Sequence, residues 1–172
     1  SLAYKGDAFD TNNREFVAAM LLGDLAFGET SDLYKRLYLQ EQKVESIASS
    51  IPRNRDVPLF EVYAMVKDEG DLDYVRSQIE QTIEHYQTVM VDAKRLNDLQ
   101  RRRKYSFLMS LDTPNKVAGG LARYVALTGG IGCVDELYVA FDSITPEDIM
   151  NAAKKYYVSE RRTVVVLKGA HS

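Results

Sequence analysis

Between residues 58 and 90 the spacing of apolar residues switches from every second position to every third or fourth, and this switch constrains the fold more than any other feature of the sequence. Phe60, Val62, Ala64 and Val66 alternate with Glu61, Tyr63, Met65 and Lys67, the pattern of a strand with one covered face and one wetter face. Glu69-Gly70-Asp71 interrupts it. Leu72, Val75, Ile79, Ile83, Tyr86 and Met90 then recur at helical steps, which predicts a helix over 71–90. A chain that holds both kinds of element belongs to a mixed class, and the order of the remaining segments decides which one.

Ahead of this pair, residues 2–5 are short and mixed, a candidate edge strand. The Asp10-Thr11-Asn12-Asn13 cluster offers side-chain oxygens to start a helix that runs to about Phe27. Phe16, Val17, Met20, Leu21, Leu25 and Ala26 cover much of its circumference, as in a helix buried on most faces. Gly28 can close it. Ser31 and Asp32 can cap a second helix over 34–43, with Leu33, Leu37 and Val44 on one stripe. Residues 47–51 read as a strand joined to 58–67 as a hairpin, through the polar Pro52-Arg53-Asn54-Arg55-Asp56 connection.

After the 71–90 helix, a long helix from Ala93 passes through Leu96, Leu99, Tyr105 and Leu108. Asp112-Thr113-Pro114 breaks it and caps a third that runs to about Leu127. Gly129, Gly130 and Gly132 open a loop, 134–141 suits a short helix, and Thr145-Pro146-Glu147-Asp148 carries a capping threonine, a first-turn proline and two acids facing the helix dipole. A strand over 163–167 closes the chain. The order is strand, two helices, two strands, several helices, strand. It predicts an α+β fold with an antiparallel or mixed sheet of about four to six strands and helices packed on one face. At 172 residues, with 45% hydrophobic and 27% charged residues, residues 1–172 are expected to form a single domain with an ordinary core and to be a piece of a longer chain, with any targeting signal outside it.

Several chemistries lack the residues they need. A net charge of −3 provides no field to gather nucleic acid. The basic run Arg101-Arg102-Arg103-Lys104 spreads around a helix rather than along one stripe, so it reads as a solvated face or as a partner for acids. No apolar run is long enough for a transmembrane segment. The chain has two histidines. His171 lies in the tail, and His85 has Gln81 and Val89 one turn to either side, neither a usual metal ligand. No catalytic residue and no metal ligand is therefore assigned. Cys133 is the only cysteine and reads as a small buried filler. Gly129-Gly130-Ile131-Gly132 lacks the following lysine or serine of a phosphate cradle, and Gly119-Gly120 reads as a place where a neighbouring element packs closely.

Gly23-Asp24-Leu25-Ala26-Phe27-Gly28 is followed by Ser31-Asp32-Leu33-Tyr34-Lys35-Arg36-Leu37. Downstream, Thr145-Pro146-Glu147-Asp148-Ile149-Met150-Asn151-Ala152-Ala153-Lys154-Lys155-Tyr156-Tyr157 leads to Thr163-Val164-Val165-Val166. In this order the segments resemble the pitrilysin/insulinase family of zinc metallopeptidases, specifically its C-terminal-type domain. The resemblance spans nearly the whole chain. It implies paired α+β domains enclosing a chamber for peptides or unfolded polypeptides, with zinc bound by H-x-x-E-H in one domain only. That motif is missing here. The resemblance therefore implies a non-catalytic, substrate-enclosing domain, inactive by itself and without a cofactor of its own. Zinc is expected in a neighbouring domain of the parent, and that zinc-binding domain and a peptide substrate are the expected partners. Many relatives supply an arginine and, seven residues later, a tyrosine to hold substrate; the matching positions here are Tyr38 and Glu45, so the pair is not kept. The resemblance leaves open a scaffold role without peptidase activity, and the residues alone leave open an unrelated small-molecule-binding α+β module.

Overall fold

The alternating segment forms strand β3, Leu59–Val66, around which the computed structural model, describing residues 1–169, is assembled. Phe60 and Val62 are fully buried, whereas Leu59, Tyr63 and Met65 are exposed, as a period of two requires. On one side β3 pairs antiparallel with β2, Val44–Ser50, forming the expected hairpin; on the other it pairs antiparallel with β1, Leu2–Lys5. Strand β4, Arg162–Val164, adds antiparallel to β1. The order β2-β3-β1-β4 is a four-stranded antiparallel sheet, and with the helices it gives the α+β architecture expected from the sequence.

The sequence marks 2–5 as an edge strand, but the sheet holds this segment inside. It is paired on both sides, and Leu2, Ala3 and Tyr4 are buried; the edges are β2 and β4. The closing strand stops at Val164 rather than Leu167. Val165 still exchanges hydrogen bonds of 2.9 and 2.8 Å with Ser1, but Val165, Val166 and Leu167 are exposed.

Helix α1, Arg14–Phe27, lies in the middle of the helical layer with eleven of its fourteen residues buried. The Asn13 side chain accepts from Phe16 N at 3.0 Å at its start, and Gly28 ends it, where a Cβ would come within 2.5 Å of the Asp24 carbonyl oxygen. Ser31 caps α2, Asp32–Tyr34, accepting from Tyr34 N at 3.0 Å. α2 widens into a π-helical turn, Lys35–Gln40, and Gln42, at φ 54°, turns the chain into β2. This helix is therefore shorter than expected, and Val44 belongs to the strand, not to the helical stripe.

α3, Leu72–Thr88, buries Val75, Ile79, Ile83 and Tyr86, while Met90 falls beyond its end and is exposed. α4, Ala93–Ser110, α5, Pro114–Thr128, and α6, Gly132–Ser143, follow as expected. On α4, however, only Leu96, Leu99 and Gln100 are buried, and Tyr105 and Leu108 stand in solvent, because the second half of the helix turns Arg103 and Phe107, not these two, towards its neighbours. The reading of Gly119-Gly120 as a close-packing site is also overturned. A Cβ at Gly119 would meet nothing, and one at Gly120 only the flexible end of Leu111.

α7, Pro146–Tyr156, begins with a complete capping box between Thr145 and Asp148. Asp148 also accepts both arms of Arg14 at 2.7 and 2.6 Å, which ties the start of α7 to the start of α1. In the core, Phe60 packs on Phe16 and Tyr156, with ring centroids 5.8 and 4.9 Å apart. Rings at such separations add to the area they bury.

Candidate functional site

Antiparallel pairing places opposed residues on the same face, so the register assigns the two faces of the sheet. Leu2, Tyr4, Phe60 and Val62 face the helices. The opposite face carries Leu59, Glu61, Tyr63 and Met65 from β3, with Ser46, Ala48 and Ser50 opposed to them on β2. Leu59, Tyr63 and Met65 are 52%, 44% and 57% exposed, so this face is apolar in patches and open. The alternation of Phe60 to Lys67 already marks these two faces.

The two positions matched to a substrate-holding pair flank the turn into β2. Tyr38 lies in the π-helical turn, partly exposed, its ring stacked on that of Tyr34 with centroids 4.7 Å apart. Glu45 sits on edge strand β2, exposed, where a bulge between Val44 and Ser46 shifts the register. A tyrosine engaged with a neighbouring ring and a solvated carboxylate do not reproduce the donors of an arginine and a tyrosine.

His85 is exposed on α3 with its ring edge-on to Tyr86, and His171 lies outside the described residues. Among the described residues, no three His, Cys, Asp or Glu side chains converge as a metal site. Cys133 is buried, its thiol 3.6 Å from the Gly130 carbonyl. The basic stretch serves to attach α4. Arg103 donates to Met20 O at 2.9 Å, pairs with Asp24 at 3.1 Å and covers the Phe141 ring; Arg102 reaches Thr30, and Lys104 reaches Asp142. Its acids thus come from this chain itself. Among the described residues no single helix is long and apolar enough to cross a membrane.

Among the depressions with the size of a binding site, two border both α3 and the sheet. One, about 420 Å³, lies between α3 and the Ser1 end of the sheet and is lined mainly by Leu2, Val66, Val75, Ile79 and Val164. The other, about 520 Å³, lies between α3 and the segment joining α7 to β4, and it brings together Glu80, Glu84, Tyr157 and Glu160. Sequence reasoning missed this second site, because its walls are some seventy residues apart along the chain; the only local signal is Glu80, Glu84 and Gln87 on one helical face.

Residues 1–102 match the family model for the peptidase M16 inactive domain. The fold is similar to that of a protease from Helicobacter pylori, with a TM-score of 0.82 at 19% identity over 94% of this chain and 38% of that one. It is similar to a peptidase M16 inactive domain from Pseudomonas fluorescens, with a TM-score of 0.76 at 14% identity over 94% and 38%. A chain of Complex III2 from Candida albicans also shares it, with a TM-score of 0.72 at 15% identity over 90% and 39%. These likenesses are of fold, and this chain spans well under half the length of each of the three. A comparison with curated proteins finds no match.

Proposed function

This chain belongs to the family of peptidase M16 inactive domains, the pitrilysin/insulinase family that its sequence resembles, and from that premise we propose that it walls the chamber of a zinc endopeptidase, enclosing an unfolded peptide rather than cutting it. The observation that carries this reading is the two-faced sheet: helices cover one face, and the other presents Leu59, Tyr63 and Met65 to solvent. An extended peptide laid on such a face meets alternating apolar side chains, and an edge strand can add main-chain hydrogen bonds that tolerate many sequences. β2, with seven residues, is the longer edge.

Zinc in a neighbouring domain would supply the Lewis acid for hydrolysis. The donors of this chain do not fit the ion, since His85 has no ligand within a turn and no trio of donors converges among the described residues. The work left to this chain is to bind and enclose. Tyr38 and Glu45 take no chemical part in this reading, and Glu45→Gln is expected to leave kcat unchanged.

The test compares the chain alone with the longer protein that also carries the zinc-bearing domain. The chain alone is expected to hold no stoichiometric zinc and to leave an unstructured fluorogenic peptide intact, while the longer protein cleaves it. Hydrolysis by the chain alone, abolished by a chelator, would overturn the proposal. The likeness to a chain of Complex III2 favours a second reading, a scaffold without peptidase activity; an H-x-x-E-H motif in the flanking chain decides for the peptidase and its absence for the scaffold. An unrelated small-molecule-binding module gives way to the family match over residues 1–102.

A further inference from the structure

At the Ser1 end of the sheet, β3 and the run that follows β4 both continue past β1. Leu2 pairs with Val62, the furthest point at which β1 and β3 are joined in this direction, while β3 goes on to Val66. On the other side Ser1 exchanges hydrogen bonds with Val165. Val165, Val166 and Leu167 then border the apolar groove that Ala64, Met65 and Val66 border from β3. Because the two walls pair with opposite sides of β1, roughly 9–10 Å separates them, the room of one strand. Beyond the groove the ion pair of Lys168 with Glu69 ties the walls together.

The register shows which main-chain groups face this groove. Along an antiparallel strand the N–H and C=O of successive residues point to opposite neighbours. Pro58 O accepts from Gly6 N at 3.0 Å, towards β1, and Lys67 N donates to Lys43 O at 3.0 Å, towards β2. Even-numbered residues of β3 therefore face β1 and odd-numbered ones face β2; the bulge between Val44 and Ser46 lies on β2 and leaves this alternation unbroken. The N–H and C=O of Ala64 and Val66 thus point into the groove, where no strand pairs with them among the described residues. Burial falls at the same place. Phe60 and Val62 are fully buried, but Ala64 and Val66, on the same face, are only partly buried, over an apolar floor of Leu72, Val75 and Ile79.

We propose that this groove takes three residues of extended polypeptide that run in line into β1, as a middle strand between β3 and residues 165–167. The residues opposite Ala64 and Val66 turn apolar side chains onto α3, and the one between them turns to the open sheet face beside Met65. The occupant is a segment of the longer protein. A strand in this line enters β1 without a turn, and this chain spans well under half the length of the proteins whose fold it shares. The inference rests on the reading of this chain as part of a longer protein.

The probe is the 172-residue chain lengthened ahead of Ser1 by Val-Thr-Val, or by Pro-Thr-Pro, which has no N–H at the two positions facing β3. In the unextended chain the Ala64 and Val66 amides are expected to exchange fast with solvent. Val-Thr-Val is expected to slow both amides about tenfold or more and to raise the unfolding temperature by about 2–4 °C, and Pro-Thr-Pro to do neither. No protection by Val-Thr-Val, or equal protection by both extensions, would overturn the proposal. The same amides are then followed in the longer, zinc-bearing protein, where slow exchange without added peptide is expected. Fast exchange there, or protection that arrives only with an unstructured substrate peptide, would overturn the occupant named here. If that peptide is still cleaved, the chamber reading survives the loss of this one.

Discussion

Helices α1 and α5 are of nearly equal length and both rich in alanine, leucine and valine, yet they have opposite fates. α1 buries eleven of its fourteen residues, whereas α5, with fifteen, buries only Tyr124. The difference lies in what surrounds each. α1 is packed by β2, α2, α3, α4, α6 and α7, while α5 is packed chiefly by α4 and α6. Polar ties from the loop between β2 and β3 hold α5 in place. Arg53 donates to the Tyr124 hydroxyl and covers its ring, Arg55 reaches Ala126 O at 3.0 Å, and Arg123 reaches back to Arg53 O at 3.0 Å. Composition therefore does not set burial; position relative to the sheet does. The family match ends at residue 102, beside Arg103, the residue that anchors α4 on α1.

The sharpest break between the two regions is expected from core truncation. Phe60→Ala should cost about 3–5 kcal/mol in denaturant unfolding, against about 0.5 kcal/mol or less for Met109→Ala at the exposed end of α4.

Acid should come next and act on the α1–α7 side. Burial alone would raise Asp148, but the Arg14 guanidinium and the Thr145 donors outweigh it and hold the carboxyl below the usual range. For Asp7, burial is likewise outweighed by the Tyr156 hydroxyl, Lys155 and Asn13. Folded values below the unfolded value of about 3.9 contribute stability that is present above about pH 4 and lost as pH falls through the folded values. Melting curves between pH 7 and 3 should show this loss, and Asp148→Asn should flatten it; an unchanged profile in that variant would separate acid sensitivity from the α1–α7 tie. Thr145→Ala, which removes the cap of α7, should cost about 1 kcal/mol by the same melts. An effect of the opposite sign is expected on α5. Gly119→Ala should gain about 0.5–1 kcal/mol, since the position is helical and a methyl there meets only solvent.

The same contrast sets how much was legible in the sequence. Phe60 to Val66 declared a two-faced strand, and Asn13, Ser31, Thr113 and Thr145 all cap helices at the expected starts, because capping and periodicity are local chemistry. Strand order was not local. Residues 2–5 look like an edge by length and composition, and only pairing with β3 and β4, some sixty and a hundred and sixty residues away, makes them interior. Tyr105 and Leu108 continue the apolar spacing of α4 but lie on its outer side, whereas Phe107 between them turns inward onto Tyr124 and Tyr138. The cleft between α3 and the α7–β4 connection was invisible for the same reason, since Glu84 and Glu160 come to line one depression only after folding.

The central claim is that the open sheet face receives the substrate. Its most direct test is steady-state hydrolysis of an unstructured peptide by the longer, zinc-bearing protein with Tyr63→Glu and Met65→Glu together, beside a Val125→Glu control on exposed α5. The account predicts KM raised about tenfold with kcat nearly unchanged for the sheet-face pair, and neither constant moved for the control. A sheet-face variant that keeps its KM would contradict it.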